Sequence, residues 1–348
     1  MRILLTFDTH YAPHAATVME SIIQNCPEKL DFVVIYYDLN QETQDILTFH
    51  FTEKVRSLEF VQMDEEKLKS IAENIKAVEH LSLNAYLRLF AAVLLPNDNC
   101  VIYLDCDIVV QDNILKILDG ADLSKPVCAV TEYDPDYKLH DLSDLSMGKP
   151  AQDPWIIEAL CYRTYNDLGM DKSARYFNTG VMVLNLDYWR KNKITEKTVN
   201  FMIENPEKLS YGDQDALNAV INGNYFSLNP RWNLVPPSPS IFSNYNFSIS
   251  KEAVKNPAVI HVAGSSKPWK YLCDSKYQTM YWAYRKYTPW SQKVYKDKTV
   301  KNILKKNILN PIEKLIGETT VNYIKAHLPG KGKFWISKVA KMRVQCHK

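Results

Sequence analysis

Asp105 and Asp107 stand one residue apart at the end of the apolar run Cys100-Val101-Ile102-Tyr103-Leu104. Such a run reads as a strand buried on both faces of a parallel sheet, and the carboxyl ends of those strands are where α/β sheets gather ligands. Two carboxylates delivered there can hold a divalent cation against a diphosphate, the chemistry a nucleotide-sugar transferase needs. The bare pattern is weak, because Asp-x-Asp occurs at 105 and 107, at 134 and 136, and at 213 and 215. Only the first follows a continuous apolar run of strand length; the second flanks Pro135 in a polar stretch that reads as loop.

Other routes to phosphate binding are missing. The chain has only 10 glycines, and neither Gly-x-Gly-x-x-Gly nor the Gly-x-x-x-x-Gly-Lys-Ser/Thr loop occurs, so a cation is the natural partner for phosphate. The seven cysteines form no Cys-x-x-Cys pair and no zinc-ligand spacing, and they read as reduced thiols. At 348 residues and 46% hydrophobic content, the chain can build one large core with an appendage, or two domains. No apolar run approaches the ~20 residues of a membrane-spanning helix, and residues 1–8 reach Asp8 too soon for a secretory signal. The expected location is cytoplasmic.

The net charge of +2 hides an asymmetry. Residues 291–348 hold 14 Lys or Arg against three acids, leaving 28 against 37 in the rest, so an acidic body precedes a basic tail. In that tail Lys293, Lys296, Lys298, Lys301, Lys305 and Lys306 lead into Ile308-Leu309 and Leu315-Ile316, and Phe334 and Trp335 sit among further lysines. Cations interleaved with apolar and aromatic groups fit an anionic membrane surface, here the inner face of the cytoplasmic membrane, and no nucleic-acid motif accompanies them.

Several elements must position the acidic pair. Residues 2–7, 31–37, 58–62 and 100–104 predict strands, with helices over 14–25 and 41–51 between them. A further helix over 82–95, with Ser82 as N-cap and Pro96 as its stop, feeds the strand that carries Asp105. This alternation implies an α/β fold with a mainly parallel, Rossmann-like sheet and helices on both faces. Strands are also predicted at 127–131, 180–186 and 258–262, and a helix at 214–222. Residues 134–172 read as a long loop with one short helix, suited to acceptor recognition, and 236–239 as an irregular Pro-rich crossing.

Four fragments then converge: Asp105-Cys106-Asp107, Tyr176-Phe177-Asn178-Thr179-Gly180-Val181, Gly212-Asp213-Gln214-Asp215-Ala216-Leu217-Asn218, and His261-Val262-Ala263-Gly264-Ser265-Ser266-Lys267-Pro268-Trp269. In this order and spacing they closely resemble glycosyltransferase family 8, over about residues 1–270. The resemblance implies a GT-A-type nucleotide-sugar-binding fold as a catalytic domain over 1–270, with 271–348 as a basic, small helical extension for peripheral membrane attachment.

The resemblance also implies roles. Asp105, Asp107 and His261 would bind Mn2+, with Mg2+ as the alternative, and a donor set of two carboxylates and one imidazole suits such an ion. Lys267 would meet the donor diphosphate, with Cys106 and Gly264 in the same motifs, and Thr6, Asp8 and Tyr11 would meet base and ribose. Arg88 matches an arginine that reaches donor sugar and diphosphate, Asn178, Asp213 and Gln214 match the sugar subsite, and Glu132 falls near an acidic sugar-binding position. The family retains anomeric configuration, and Gln214, a poor nucleophile, occupies the slot a covalent route would give to a carboxylate. Front-face substitution is therefore expected, from a UDP-hexose to a glycan, glycolipid or glycoprotein acceptor. A nucleotide-sugar-binding scaffold docked by its tail is the competing reading, and a phosphohydrolase the more distant one.

Overall fold

A computed structural model of the chain describes residues 1–64, 66, 83–133, 162–236, 251–264, 267–273 and 277–309. The expected cap at Ser82, the Asp134 to Asp136 pair, residues 134–161 of the expected long loop, residues 237–239 of the Pro-rich crossing and the tail beyond 309 lie outside the described residues.

The strands are β1 (Arg2–Thr6), β2 (Asp31–Tyr36), β3 (Ser57–Gln62), β4 (Cys100–Leu104), β5 (Ile108–Val110), β6 (Val127–Tyr133), β7 (Tyr176–Asn185), β8 (Phe226–Ser227) and β9 (Val259–His261). Seven of them form one sheet in the order β3-β2-β1-β4-β7-β6-β8, and β5 pairs β9 in a separate ribbon. The pairings from β3 through β4 are parallel, as is β6 with β8, whereas β7 runs antiparallel to both β4 and β6. The sheet is thus mainly parallel, as the alternating pattern predicts.

Each central strand is apolar on both sides because helices cover both faces. Ile3 and Leu5 of β1, Phe32 and Val34 of β2, and Ile102 and Leu104 of β4 enter one core with Val18, Met19 and Ile22 of α1 (Ala12–Asn25) and Leu47 and Phe51 of α2 (Gln41–Phe51). The alternate residues Leu4, Val33, Ile35, Val101 and Tyr103 enter the opposite core with Leu87, Trp189 and Met202. The helix expected over 82–95 is broken: α3 (Leu83–Tyr86) tightens into a 3-10 turn at Leu87–Phe90 before α4 (Ala91–Leu94). The tightening falls where Arg88 turns inward to the end of β4, held by Asp105 and by the Thr179 carbonyl.

After β7 come α5 (Leu186–Asn192), α6 (Ile194–Glu204), α7 (Asp213–Ile221), α8 (Lys251–Lys255), α9 (Gln278–Arg285) and α10 (Val300–Leu304). α9 packs on α1, where the Tyr281 hydroxyl lies 2.6 Å from His14 Nδ1 and Asn25 donates to the Tyr284 hydroxyl at 2.9 Å.

Candidate active site

The acidic pair sits where β4 ends. The Asp105 amide continues the ladder to β7 by donating to the Gly180 carbonyl at 2.8 Å. Because β7 is antiparallel to β4, its early residues Asn178, Thr179 and Gly180 lie beside the end of β4 rather than at the far edge of the sheet. Asp107 opens the second ribbon, in which Ile108 faces His261 and the Val262 amide donates to the Asp107 carbonyl at 3.0 Å. This ribbon brings His261 to the carboxylates.

His261 Nε2 stands 3.2 Å from Asp107 Oδ1 and 3.8 Å from Asp105 Oδ2. One donor atom from each of the three residues lies within 4.8 Å of the others. The remaining oxygens are occupied: Asp105 Oδ1 accepts from the Tyr103 hydroxyl at 2.6 Å and from Arg88 at 3.0 Å, and Asp107 Oδ2 is paired with Lys267. Each carboxylate therefore aims one oxygen at the imidazole. Burial favours neutral His261, yet Asp107 and Asp105 outweigh it and raise its pKa. Burial would likewise raise the Asp107 pKa, but Lys267 and His261 hold it far below the carboxylate range. Two hard oxygens and one imidazole nitrogen converging on one point fit a divalent cation of the manganese or magnesium kind.

Gly180 leaves room for this convergence. A Cβ built on it would lie 2.3 Å from His261 Cε1 and 3.0 Å from Asp105 Oδ2, so any side chain there would push these two groups apart.

Behind the cluster lies a second network. Asp213 is 1% exposed and Arg88 Nε approaches its Oδ2 at 2.8 Å, although that N–H is aimed at the Ala85 carbonyl 2.9 Å away. The pair is held by charge without a linear hydrogen bond, and burial raises the Asp213 pKa to about 6 against the pull of Arg88. Gln214 is pinned at both ends, its Oε1 accepting from the Thr179 amide at 3.1 Å and its Nε2 donating to Glu132 at 2.9 Å. Asn178 also donates to Glu132 at 3.1 Å, and burial raises the Glu132 pKa against these two hydrogen bonds. Gly212, with φ 56° and ψ −121°, supplies the turn that starts α7 and sets Asp213 and Gln214 at its first turn.

The remaining predicted residues fall on the same end of the sheet. Asp8 accepts from the Tyr11 amide at 2.9 Å and from Asn84 at 2.7 Å, and Thr6 Oγ1 lies 3.3 Å from the Tyr103 hydroxyl. Tyr11 meets Trp269 edge-on at 5.8 Å between ring centroids. Cys106 is buried with its thiol toward the Thr6 carbonyl, Arg88 is a 6% exposed bracket between Asp105 and Asp213, and Gly264 turns the chain toward Lys267 at φ +78°. Sequence reasoning missed Tyr103, Gly180, Asn84 and Asn233. Tyr103 reads as one more apolar strand residue, Gly180 stands inside the Tyr176 to Val181 motif, which assigns it no role, and Asn84 and Asn233 act on partners remote in sequence.

Two carboxylates, an imidazole and a lysine stand together at the carboxyl end of a mainly parallel sheet, the place where α/β proteins gather ligands, and their chemistry could hold a cation. Residues 2–273 match the family described as Glycosyl transferase family 8, and the chain belongs to that family. It is similar to General stress protein A of Bacillus subtilis (strain 168), at 28% identity over 84% of this chain and 95% of the relative. It is also similar to the Lipopolysaccharide 1,2-glucosyltransferase of Escherichia coli, at 27% identity over 83% of this chain and 79% of that one. Among solved structures, the galactosyltransferase LgtC in complex with donor and acceptor sugar analogues superposes with a TM-score of 0.64 at 21% identity, covering 83% of this chain and 96% of LgtC. That likeness establishes the GT-A-type fold.

Proposed function

We propose that the protein is a retaining hexosyltransferase that moves glucose or galactose from a UDP-sugar to a glycan, glycolipid or glycoprotein acceptor of the cell envelope, forming an α-linkage. The observation that carries this reading is the convergence of Asp105 Oδ2, Asp107 Oδ1 and His261 Nε2 beside Lys267, with Asp213 and Gln214 behind them. Family membership and the two named hexosyltransferases among its relatives support the hexose.

A divalent cation, Mn2+ or in its place Mg2+, would be held by Asp105, Asp107 and His261 and would neutralise charge on the departing diphosphate. Lys267 reaches the same region and can turn from Asp107 to the diphosphate as that charge builds. Thr6, Asp8 and Tyr11 line the approach for base and ribose. Asp213, fixed by Arg88, orients the sugar, and Gln214, tied to Thr179 and Glu132, fills the space under the anomeric carbon with an amide that does not attack. The acceptor then attacks from the front face, with the diphosphate oxygen taking its proton.

The test is a panel of nucleotide sugars assayed for metal-dependent release of nucleotide, and then proton NMR of the glycoside formed. UDP-glucose or UDP-galactose with an α product is expected. A β product overturns the mechanism, and no release from any donor favours the binding-scaffold reading.

The tail would hold the enzyme at the inner face of the cytoplasmic membrane. In its described part, Lys293 sits over the Trp282 and Tyr295 rings at 5.5 and 5.7 Å, and Val294, Val300 and Leu304 are exposed among lysines, a surface suited to anionic lipid. Removing residues 291–348 should abolish flotation with anionic vesicles while donor hydrolysis persists; equal flotation defeats this assignment. Among the described residues no helix is long and apolar enough to cross a membrane.

A further inference from the structure

One buried side chain in the cluster belongs to no motif. Asn233 closes the 3-10 turn Pro230–Asn233 and is 1% exposed. Its Oδ1 lies 3.0 Å from His261 Nδ1, and its Nδ2 donates to Asn178 Oδ1 at 2.8 Å. Asn178 Nδ2 in turn donates to Glu132 Oε2, the oxygen that also accepts from Gln214. An unbroken path of hydrogen bonds thus runs from His261 to Gln214.

Donors and acceptors on this path are compatible in one direction. Asn178 Oδ1 accepts from the Gly180 amide at 2.9 Å, which fixes it as an acceptor. Asn233 must then present its NH2 to Asn178 and its carbonyl to His261. An imidazole facing a carbonyl oxygen holds a proton on Nδ1, so the nitrogen left to offer its lone pair to an ion is Nε2, the atom directed at Asp105 and Asp107.

We propose that Asn233 is the positioning residue that holds His261 in its metal-binding tautomer and joins that ligand, through Asn178 and Glu132, to Gln214 in the sugar subsite. The proposal rests on the metal-assisted reading above. Its two halves are separable, because the carbonyl of Asn233 serves His261 and the amide NH2 serves Asn178.

The test uses the full chain with Mn2+ alone as first probe, binding being read from the EPR signal of free Mn2+ and folding from far-UV circular dichroism. Asn233→Ala removes both halves and is expected to weaken Mn2+ binding by about 10–100-fold. Asn233→Asp keeps an acceptor for His261 but has no N–H for Asn178. It is expected to hold Mn2+ affinity within about threefold of wild type, while kcat at saturating Mn2+, with the donor found by the nucleotide-sugar panel, falls by about tenfold or more. A folded Asn233→Ala protein with wild-type affinity overturns the proposal. So does an Asn233→Asp protein in which affinity and turnover fall in parallel, or in which neither changes. If Asn233→Ala does not fold, the Asn233→Asp comparison decides alone. Absence of Mn2+ binding by the wild-type chain defeats the functional reading, whereas tight wild-type binding indifferent to residue 233 defeats only this inference.

Discussion

Asp105-Cys106-Asp107 and Asp213-Gln214-Asp215 share one pattern and meet opposite fates. In the first, side chains 24% and 10% exposed each direct one oxygen toward His261, and the cations around them leave that oxygen open. In the second, side chains 2% and 0% exposed are each committed to an arginine: Asp213 to Arg88, and Asp215 to Arg163 at 2.6 Å. Asp215 also accepts from the Tyr176 hydroxyl and the Tyr211 amide. A carboxylate can serve an ion when its partners leave an oxygen facing another donor, as at Asp105 and Asp107, and serves as a brace when they take both oxygens, as at Asp215. Arg88 touches both motifs and so ties Asp213 to Asp105.

The comparison breaks if the brace can be removed without consequence. Asp215→Ala leaves the largely buried Arg163 guanidinium without its carboxylate, and about 3–5 kcal/mol of stability should be lost in urea unfolding. Arg163→Met combined with Asp215→Leu should recover much of it, because no charge then remains buried alone. A loss below about 1 kcal/mol for the single variant would show that the second motif is not a brace.

Asp107→Asn tests the ligand side. On the proposed reading donor turnover should fall at least about 100-fold, since an ion that would steady the leaving diphosphate would lose an anionic ligand. Mn2+ binding should fall with it while the fold persists, and turnover unchanged in excess chelator would remove the metal from the reaction.

A finer contrast lies in pH. Asp213, raised to about 6, is protonated in the native state and ionised in the unfolded chain between its unfolded value of about 3.9 and 6. The native state binds the extra proton there, so this group makes stability rise as pH falls through that window. Asp107 acts with the opposite sign: its pKa is depressed on folding, and its stabilisation is present above about 3.9 and lost as pH falls toward its folded value. Unfolding of wild type and Asp213→Asn, compared at pH 7 and pH 4.5, should show wild type gaining on the variant at the lower pH by on the order of 1 kcal/mol. A gap independent of pH would refute the raised value.

Much of this site is legible along the chain. Cys100 to Leu104 must be a covered strand because five successive residues, four of them strongly apolar, have no polar face to offer water. The chain leaving that strand must emerge at a sheet edge, so the linear pattern alone locates Asp105 and Asp107. The resemblance carried by the four motifs extends this to His261, Lys267, Asn178, Asp213 and Gln214. The β5 strand was not legible, since Ile108–Val110 is three residues long and too short to show a period. Nor was the inward role of Arg88, whose position in a helical pattern is compatible with solvent.

Local chemistry thus determined by itself the strands β1 to β4 with α1 and α2 between them, where the acidic pair ends its strand, and that the tail is basic, because hydrophobic runs and charge act over neighbouring residues. Tertiary structure alone decided that β7 runs antiparallel beside β4, that a two-stranded ribbon carries His261 to Asp107, and that Asn233 stands behind it. These depend on which distant backbone groups pair and in which direction, and that choice is made by burying both faces of the whole sheet at once.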